Sequence, residues 1–448
     1  MVKDLTKGKP AKLILNFCLP LMLGQVFQQF YNMVDSIIVG RFAGTLQLSA
    51  VGSTGSISFL VIGFVTGLVT GFSIPLSQAF GEENEEKLKK TFANSVYHTG
   101  VAAVVLTLAT YFGTPVILKL MHTPPEIYDM AYDYIGTVFL GLGATLFYNL
   151  FAAVMRSLGD SRTPLLLLIF SSLLNIVLDL IMVRIFHLDC LGVAIATVIA
   201  QTVSAVLALI IIIKKFKIVH FNSQQGRPDA QVSKKLVVTG LPMALQMSVT
   251  AIGSIMLQTA VNGLGPDVIA AVTIGSKIQL MLMLLAETFG ATMATYCGQN
   301  LGAGRMDRIK EGMYSSIGMS MLYTLLAVAF AFFFGKELGS LFIKENPDAV
   351  LELVSQFLRT CCFFYPVLSL LFIFRAAIQG MGHSFPAMFA GVLELFARGI
   401  MSYLVIPRFG YDAVVFANQT AWCSAMLLLV PVFFISYARE KKRINPNS

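Results

Sequence analysis

The strongest constraint on this chain is the end-to-end recurrence of apolar stretches of about 20 residues, the length an α-helix needs to cross a hydrocarbon layer about 30 Å thick. ILNFCLPLMLGQVFQQFYNMVDSIIVG and LLLLIFSSLLNIVLDLIMV are typical. No water is present at that depth, so the backbone must satisfy itself, and these runs are too long and unbroken for barrel strands. Spans are predicted near 13–38, 49–75, 92–112, 130–155, 165–186, 190–213, 236–260, 267–295, 312–335, 355–378, 386–407 and 412–436. The expected fold class is an all-α polytopic membrane protein with twelve transmembrane helices. Composition agrees: 12% of residues are charged and mean hydropathy is +0.75, whereas soluble proteins carry roughly 25% charged residues. The basic N-terminus leads into a run longer than a signal-peptide core, so it reads as a retained first span. The six cysteines show no CxxC and no metal spacing, so they read as packing residues without a disulfide framework.

Lysine and arginine set the sidedness. The N-terminus, the connections after even-numbered spans and the C-terminus hold 22 of them, including Lys3 and Lys7, against 6 on the other side, including Lys344. The positive-inside rule then predicts a multi-pass membrane protein with both termini cytoplasmic. The net charge of +8 is explained by that topology and by attraction to lipid headgroups, so no nucleic-acid partner is expected.

Sliding the sequence against itself by about 221 residues exposes an internal repeat. Leu19-Pro20-Leu21-Met22-Leu23 returns as Leu241-Pro242-Met243-Ala244-Leu245, Gln78 and Gly81 return as Gln299 and Gly302, and Gly159 returns as Gly382. Six spans per copy is an even number, so the copies are parallel, a design recurrent among transporters. The expected division is a first lobe at 1–213, a cytoplasmic linker at 214–235 and a second lobe at 236–448. EENEEKLKK at 82–90 reads as an amphipathic turn. Pro20 and Pro242 lie inside spans 1 and 7, where a missing N–H and a ring clash loosen the helix, which makes them candidate bending points for gating.

Two carboxylates stand inside apolar spans, Asp35 and Asp179. Intramembrane acids generally line a cavity or an ion path. Gln28, Tyr31 and Asp35 follow helical spacing with Asn32 adjacent, and Asn175 lies four residues before Asp179, so each set shares a helix face. The topology puts both acids in the external half of the membrane at similar depth, where they could share a site. Their oxygens suit a small hard cation, and desolvation and mutual repulsion favour a proton on one or both of them until a cation replaces it. A structural polar pair, a channel role and a lipid-headgroup role remain alternatives.

The second half differs, because Leu257 stands opposite Asp35 under the repeat. It carries Lys277 and Glu287 in span 8, about 15 Å apart along the axis if helical, and Glu394 with Arg398 in span 11, an i,i+4 pair that reads as structural. Glu287 could meet a cationic substrate or pair with an arginine; Arg359 and Arg375 stay unassigned. The absence of a P-loop, an HExxH and a Ser/His/Asp set argues against ATP-driven transport and hydrolysis, so no enzyme activity and no cofactor are expected.

Pro20 followed by Asp35 within YNMVDSIIVGR, LSAVG at 48–52, MRSLGDSRTP at 155–164, NIVLD at 175–179 and GVAIAT at 192–197 together resemble the multidrug and toxic compound extrusion (MATE) family, most closely its prokaryotic DinF-like and MepA-like members. The resemblance covers all twelve spans. It implies an antiporter that exports cationic amphiphilic compounds, including drugs, in exchange for H⁺ or Na⁺ by alternating access, acting as a monomer in the lipid bilayer. Carried onto this chain, it implies a cation site, for H⁺ or Na⁺, at Asp35, Asn175, Asp179 and Thr197, a cavity lined by Tyr31 beside Gln28 and Asn32, bending at Pro20, and drug handling at Glu287. Span 7 lacks the acid that some members carry there, which puts ion coupling by the second lobe in doubt. A lipid or lipid-linked precursor flippase is the alternative transporter reading; a channel or receptor fits the doubled, Pro-interrupted halves less well.

Overall fold

A computed structural model describes residues 4–342 and 348–445; Lys3 and Lys344 of the charge count lie outside them. The described residues are helical throughout, without strands. Among the described residues ten helices are long and apolar enough to cross a membrane, and two bent pairs, each taken as one span, bring the total to twelve.

In chain order they are α1 (Pro10–Ile38), α2 (Gly55–Gly81), α3 (Glu85–Leu120), α4 (Pro125–Leu140 and Leu142–Ser157), α5 (Arg162–Arg184), α6 (Asp189–Lys215), α7 (Ala230–Asn262), α8 (Pro266–Gly302), α9 (Met306–Ser340), α10 (Asp348–Cys362 and Tyr365–Gly380), α11 (Ser384–Ile400, continued by Met401–Val405 and Ile406–Phe409) and α12 (Tyr411–Ile444). Residues 85–90 form the first turns of α3, not the turn expected at 82–90. Asn84 caps that helix, its side chain accepting from Lys87 N–H, with Glu85 and Glu86 in the first turn, where the helix dipole favours acids.

The repeat is visible in the bends. α4 is broken by 45° and α10 by 51°, at positions that the repeat aligns. At the first break Gly141 is required: a Cβ there would lie 2.3 Å from Val198 Cγ2 of α6.

The chain divides into two compact units, but not by a cut through the linker. One unit contains Leu19–Ala244, the other Leu5–Cys18 with Leu245–Ser448. The linker and the first half of α7 therefore group with the first unit, and the start of α1 with the second. Each divided helix changes unit within two residues of its proline, Pro20 or Pro242.

The first unit packs around Val65, Phe72, Leu146, Phe151 and Val154. Large apolar side chains such as Phe112 of α3 and Leu166 of α5 are exposed on its outer faces, as a lipid solvent allows. Five of the six cysteines are buried and all six are free, in line with packing residues.

Candidate functional site

The connection between α5 and α6 builds one side of the site. His187 and Asp189 adopt left-handed φ values of 53° and 44°, and Leu188 N–H donates to Met182 C=O at 3.1 Å, closing a tight turn. This lays α6 back along α5 and sets Thr197 beside Asn175. With its amide oriented to satisfy both neighbours, Asn175 donates to Asp179 Oδ2 at 2.9 Å and accepts from Thr197 N–H at 3.3 Å.

α1 supplies the other side. Asp35 and Asp179 are in side-chain hydrogen-bonding contact, and the Tyr31 hydroxyl lies near Thr197. A bond between two carboxyl groups requires a proton on one of them. Asp35 Oδ1 and Asp179 Oδ1 have no partner and are buried; Asp179 is fully enclosed. Four sequence-predicted residues, Asp35, Asn175, Asp179 and Thr197, thus converge, with Tyr31 nearby.

One end of this cluster is sealed by apolar side chains. Val39, Val183 and Val193 pack together with Tyr134 against them, each valine one turn from Asp35, Asp179 and Thr197 respectively. Just past Asp35 the first helix continues as a π-helical segment, Val39–Ala43, a local winding frequent at functional sites. Gly44 ends it at φ 119°.

Tyr134 on α4 is close enough to interact electrostatically with both carboxyls, and sequence reasoning missed it. A tyrosine toward the outer end of a span reads as an interfacial anchor; the one available signal was its predicted depth, similar to that of Asp35.

Gln28 and Asn32 take a different role. Gln28 Nε2 donates to Asn32 Oδ1 at 3.3 Å, on the surface of α1, and neither side chain is hydrogen-bonded to the carboxyl pair. Glu287 and Lys277 belong to the second unit; both are exposed, and no ion pair joins them among the described residues. In the same unit Glu394 is held by Arg375 and by Arg398 at 3.4 Å. The expected i,i+4 pair is present, but Arg375 makes the shorter contact, and no local spacing could reveal a partner on another helix.

Comparison with known proteins bears on all twelve spans. The MatE family model matches residues 20–181 and 242–404, two copies that begin at the two repeat-aligned prolines. A "probable multidrug resistance protein YpnP" of Bacillus subtilis is 29% identical, over 92% of this chain and 89% of its own length. The "multidrug export protein MepA" of Staphylococcus aureus is 22% identical, over 94% of each. A solved structure described as MATE in the bent conformation superposes with TM-score 0.89 at 21% identity, covering 98% of both chains, which shows the fold.

Proposed function

Because the chain belongs to the MatE family of membrane transporters, we propose that it is a secondary antiporter that exports cationic amphiphilic compounds in exchange for H⁺ or Na⁺. The observation that carries this reading is the buried convergence of Asp35, Asp179, Asn175 and Thr197, with two carboxyl oxygens unpartnered. Names of multidrug resistance and multidrug export among its relatives support the substrate class.

The geometry supplies a cation switch. With a proton or Na⁺ bound, Asp35 and Asp179 are held together and α1 is tied to α5 and α6 through Tyr31 and Thr197. Without the cation, two carboxylates at this distance repel in a poorly hydrated site, which favours separation of α1 and bending at Pro20. The valine cluster keeps water from screening that repulsion. Exchange follows because the cation stabilises one conformation more than the other; equal affinity would shift nothing. In this reading the protein sits in a prokaryotic cell membrane with both termini cytoplasmic, works as a monomer and needs no cofactor.

The test is reconstitution in liposomes with H⁺ and Na⁺ gradients imposed separately, following efflux of a fluorescent organic cation. Asp35→Asn should insert and fold normally yet lose gradient-driven efflux. Wild-type efflux by that variant would overturn the assignment of the site, and indifference of the wild type to both gradients would overturn antiport.

A further inference from the structure

The second unit holds a buried cluster of opposite sign. Glu394 of α11 accepts from Arg375 Nη2 of α10 at Oε1 and from Arg398 Nη2 at Oε2, 3.4 Å away. Arg398 Nε donates to Asn418 Oδ1 of α12 at 3.1 Å. The three charged side chains expose only 12%, 4% and 6% of their surface, in the order Arg375, Glu394, Arg398, so two cations face one anion inside an apolar span. Arginine cannot shed its charge, and one positive charge remains uncompensated where such a charge is costly.

The cluster also has hydrogen-bonding capacity to spare. Arg375 Nε, Arg398 Nη1 and Ser402 Oγ are buried without a partner. Ser402 lies one turn beyond Arg398 on the same face, within the π-helical segment Met401–Val405. Gly253 lets the α7 backbone pass close to Arg398, where a Cβ would lie 3.1 Å from Nη1 and 3.2 Å from Cδ, and it brings no side-chain acceptor to that edge. Next to the cluster, Gln379 Nε2 donates to Gln246 Oε1 at 2.7 Å, and that amide pair adds no charge. Two guanidinium nitrogens and a hydroxyl left over in one buried place call for an anionic acceptor. The single net charge matches a monoanion and is exceeded by a phosphate dianion.

We propose that Arg375, Arg398 and Ser402 form a binding site for a carboxylate carried by the exported compound, so that preferred substrates are zwitterionic amphiphiles rather than simple cations. This deepens the export reading above and rests on it for the identity of the ligand as substrate.

Two dyes separate the possibilities: rhodamine 110, which bears a free carboxylate, and rhodamine 123, its methyl ester. Binding to the purified full-length protein is read by fluorescence anisotropy. Wild type should bind rhodamine 110 more tightly by about tenfold, the worth of one charge-assisted hydrogen-bond set. Arg398→Gln should erase that preference while leaving rhodamine 123 affinity within about twofold, and Arg398→Lys should restore part of it. Equal affinity of the wild type for the two dyes overturns the proposal and needs no variant. A preference that survives Arg398→Gln, or an equal loss of both dyes in it, overturns the site as well. Should Arg398→Gln fail to fold, Ser402→Ala takes its place: it should narrow the preference, and a preference left intact by Ser402→Ala overturns the site. Loss of ion-driven transport with this binding preference intact would instead count against antiport alone.

Discussion

At the scale of residues, the carboxyl cluster makes unequal demands on its members. Asp35 and Asp179 are the ion-binding oxygens in our reading, so Asp179→Asn should abolish gradient-driven efflux as Asp35→Asn does. Thr197→Val removes a hydroxyl that lies near Tyr31 but no charge. It should weaken coupling-ion affinity by about tenfold, the worth of one hydrogen bond in a charged set, and leave maximal efflux at saturating ion largely intact. Titrating efflux against Na⁺ or pH distinguishes the two classes of variant. Legibility in the sequence followed the same chemistry. Asp35, Asn175 and Asp179 stood out because acids and amides are costly in lipid, whereas a lone threonine in a helix ordinarily bonds its own backbone, and Thr197 became visible only through family resemblance. Tyr134 and Arg375 were not legible as site or cluster members, since nothing in local spacing tells which neighbouring helix a side chain will meet.

At the scale of elements, the repeat has conserved a geometry while exchanging its charges. Gly159 and Gly382, at φ 82° and 88°, make the same left-handed turn before α5 and α11. The next residue in each copy reaches the end of the last helix of its half: Asp160 pairs with Lys215 at 2.6 Å, and His383 pairs with Glu440 at 3.0 Å. Acid and base have changed places, so the aligned sequences look unrelated there although the function of the contact, tying a connection to a helix end, is the same. Asp160 also accepts from Arg162 N–H and Thr163 N–H, both at 3.0 Å, and so starts α5. Burial pushes its carboxyl up, but the hydrogen bonds from Lys215 and Thr163 outweigh that and hold it below the ordinary carboxylate range. A depressed folded-state pKa contributes stability that is complete above the unfolded value of about 3.9 and is lost as pH falls through the folded value. Asp160→Asn should therefore cost about 2–3 kcal/mol at pH 7. Its melting-temperature deficit should stay constant down to about pH 4 and shrink below that. A deficit that shrinks already between pH 7 and 5 would count against Asp160 as the titrating group. Pro20→Ala is the complementary change: by restoring a helix hydrogen bond it should raise thermal stability, by up to about 3 kcal/mol, while slowing efflux. Faster efflux in that variant would remove Pro20 from the gating role.

At the scale of the whole molecule, the spans were legible because lipid imposes length and composition on every one of them, and the predicted centres all fall within the observed helices. The breaks in α4 and α10 were hidden, since Gly141 resembles any other glycine in an apolar run until the approach of Val198 is seen. Sidedness is the global property that charge alone predicted, and contacts within each unit are consistent with it. Asn94 Oδ1 in the third turn of α3 accepts from Asp229 N–H in the linker at 3.0 Å. Arg308 at the start of α9 donates to the carbonyls of Leu5 and Gly8 at 3.3 and 2.9 Å. Each contact joins segments that the charge count puts on one side. The orientation itself is tested by single cysteines in a Cys423→Ser background, the remaining native cysteines being buried. Gln224→Cys in the linker and Glu126→Cys at the start of α4 are both exposed positions. A membrane-impermeant maleimide should label Glu126→Cys in intact cells and Gln224→Cys only after the cells are opened. The reverse pattern would invert the molecule, turn the carboxyl cluster to face the cytoplasm and make an entering ion gradient act on the wrong side of the proposed switch.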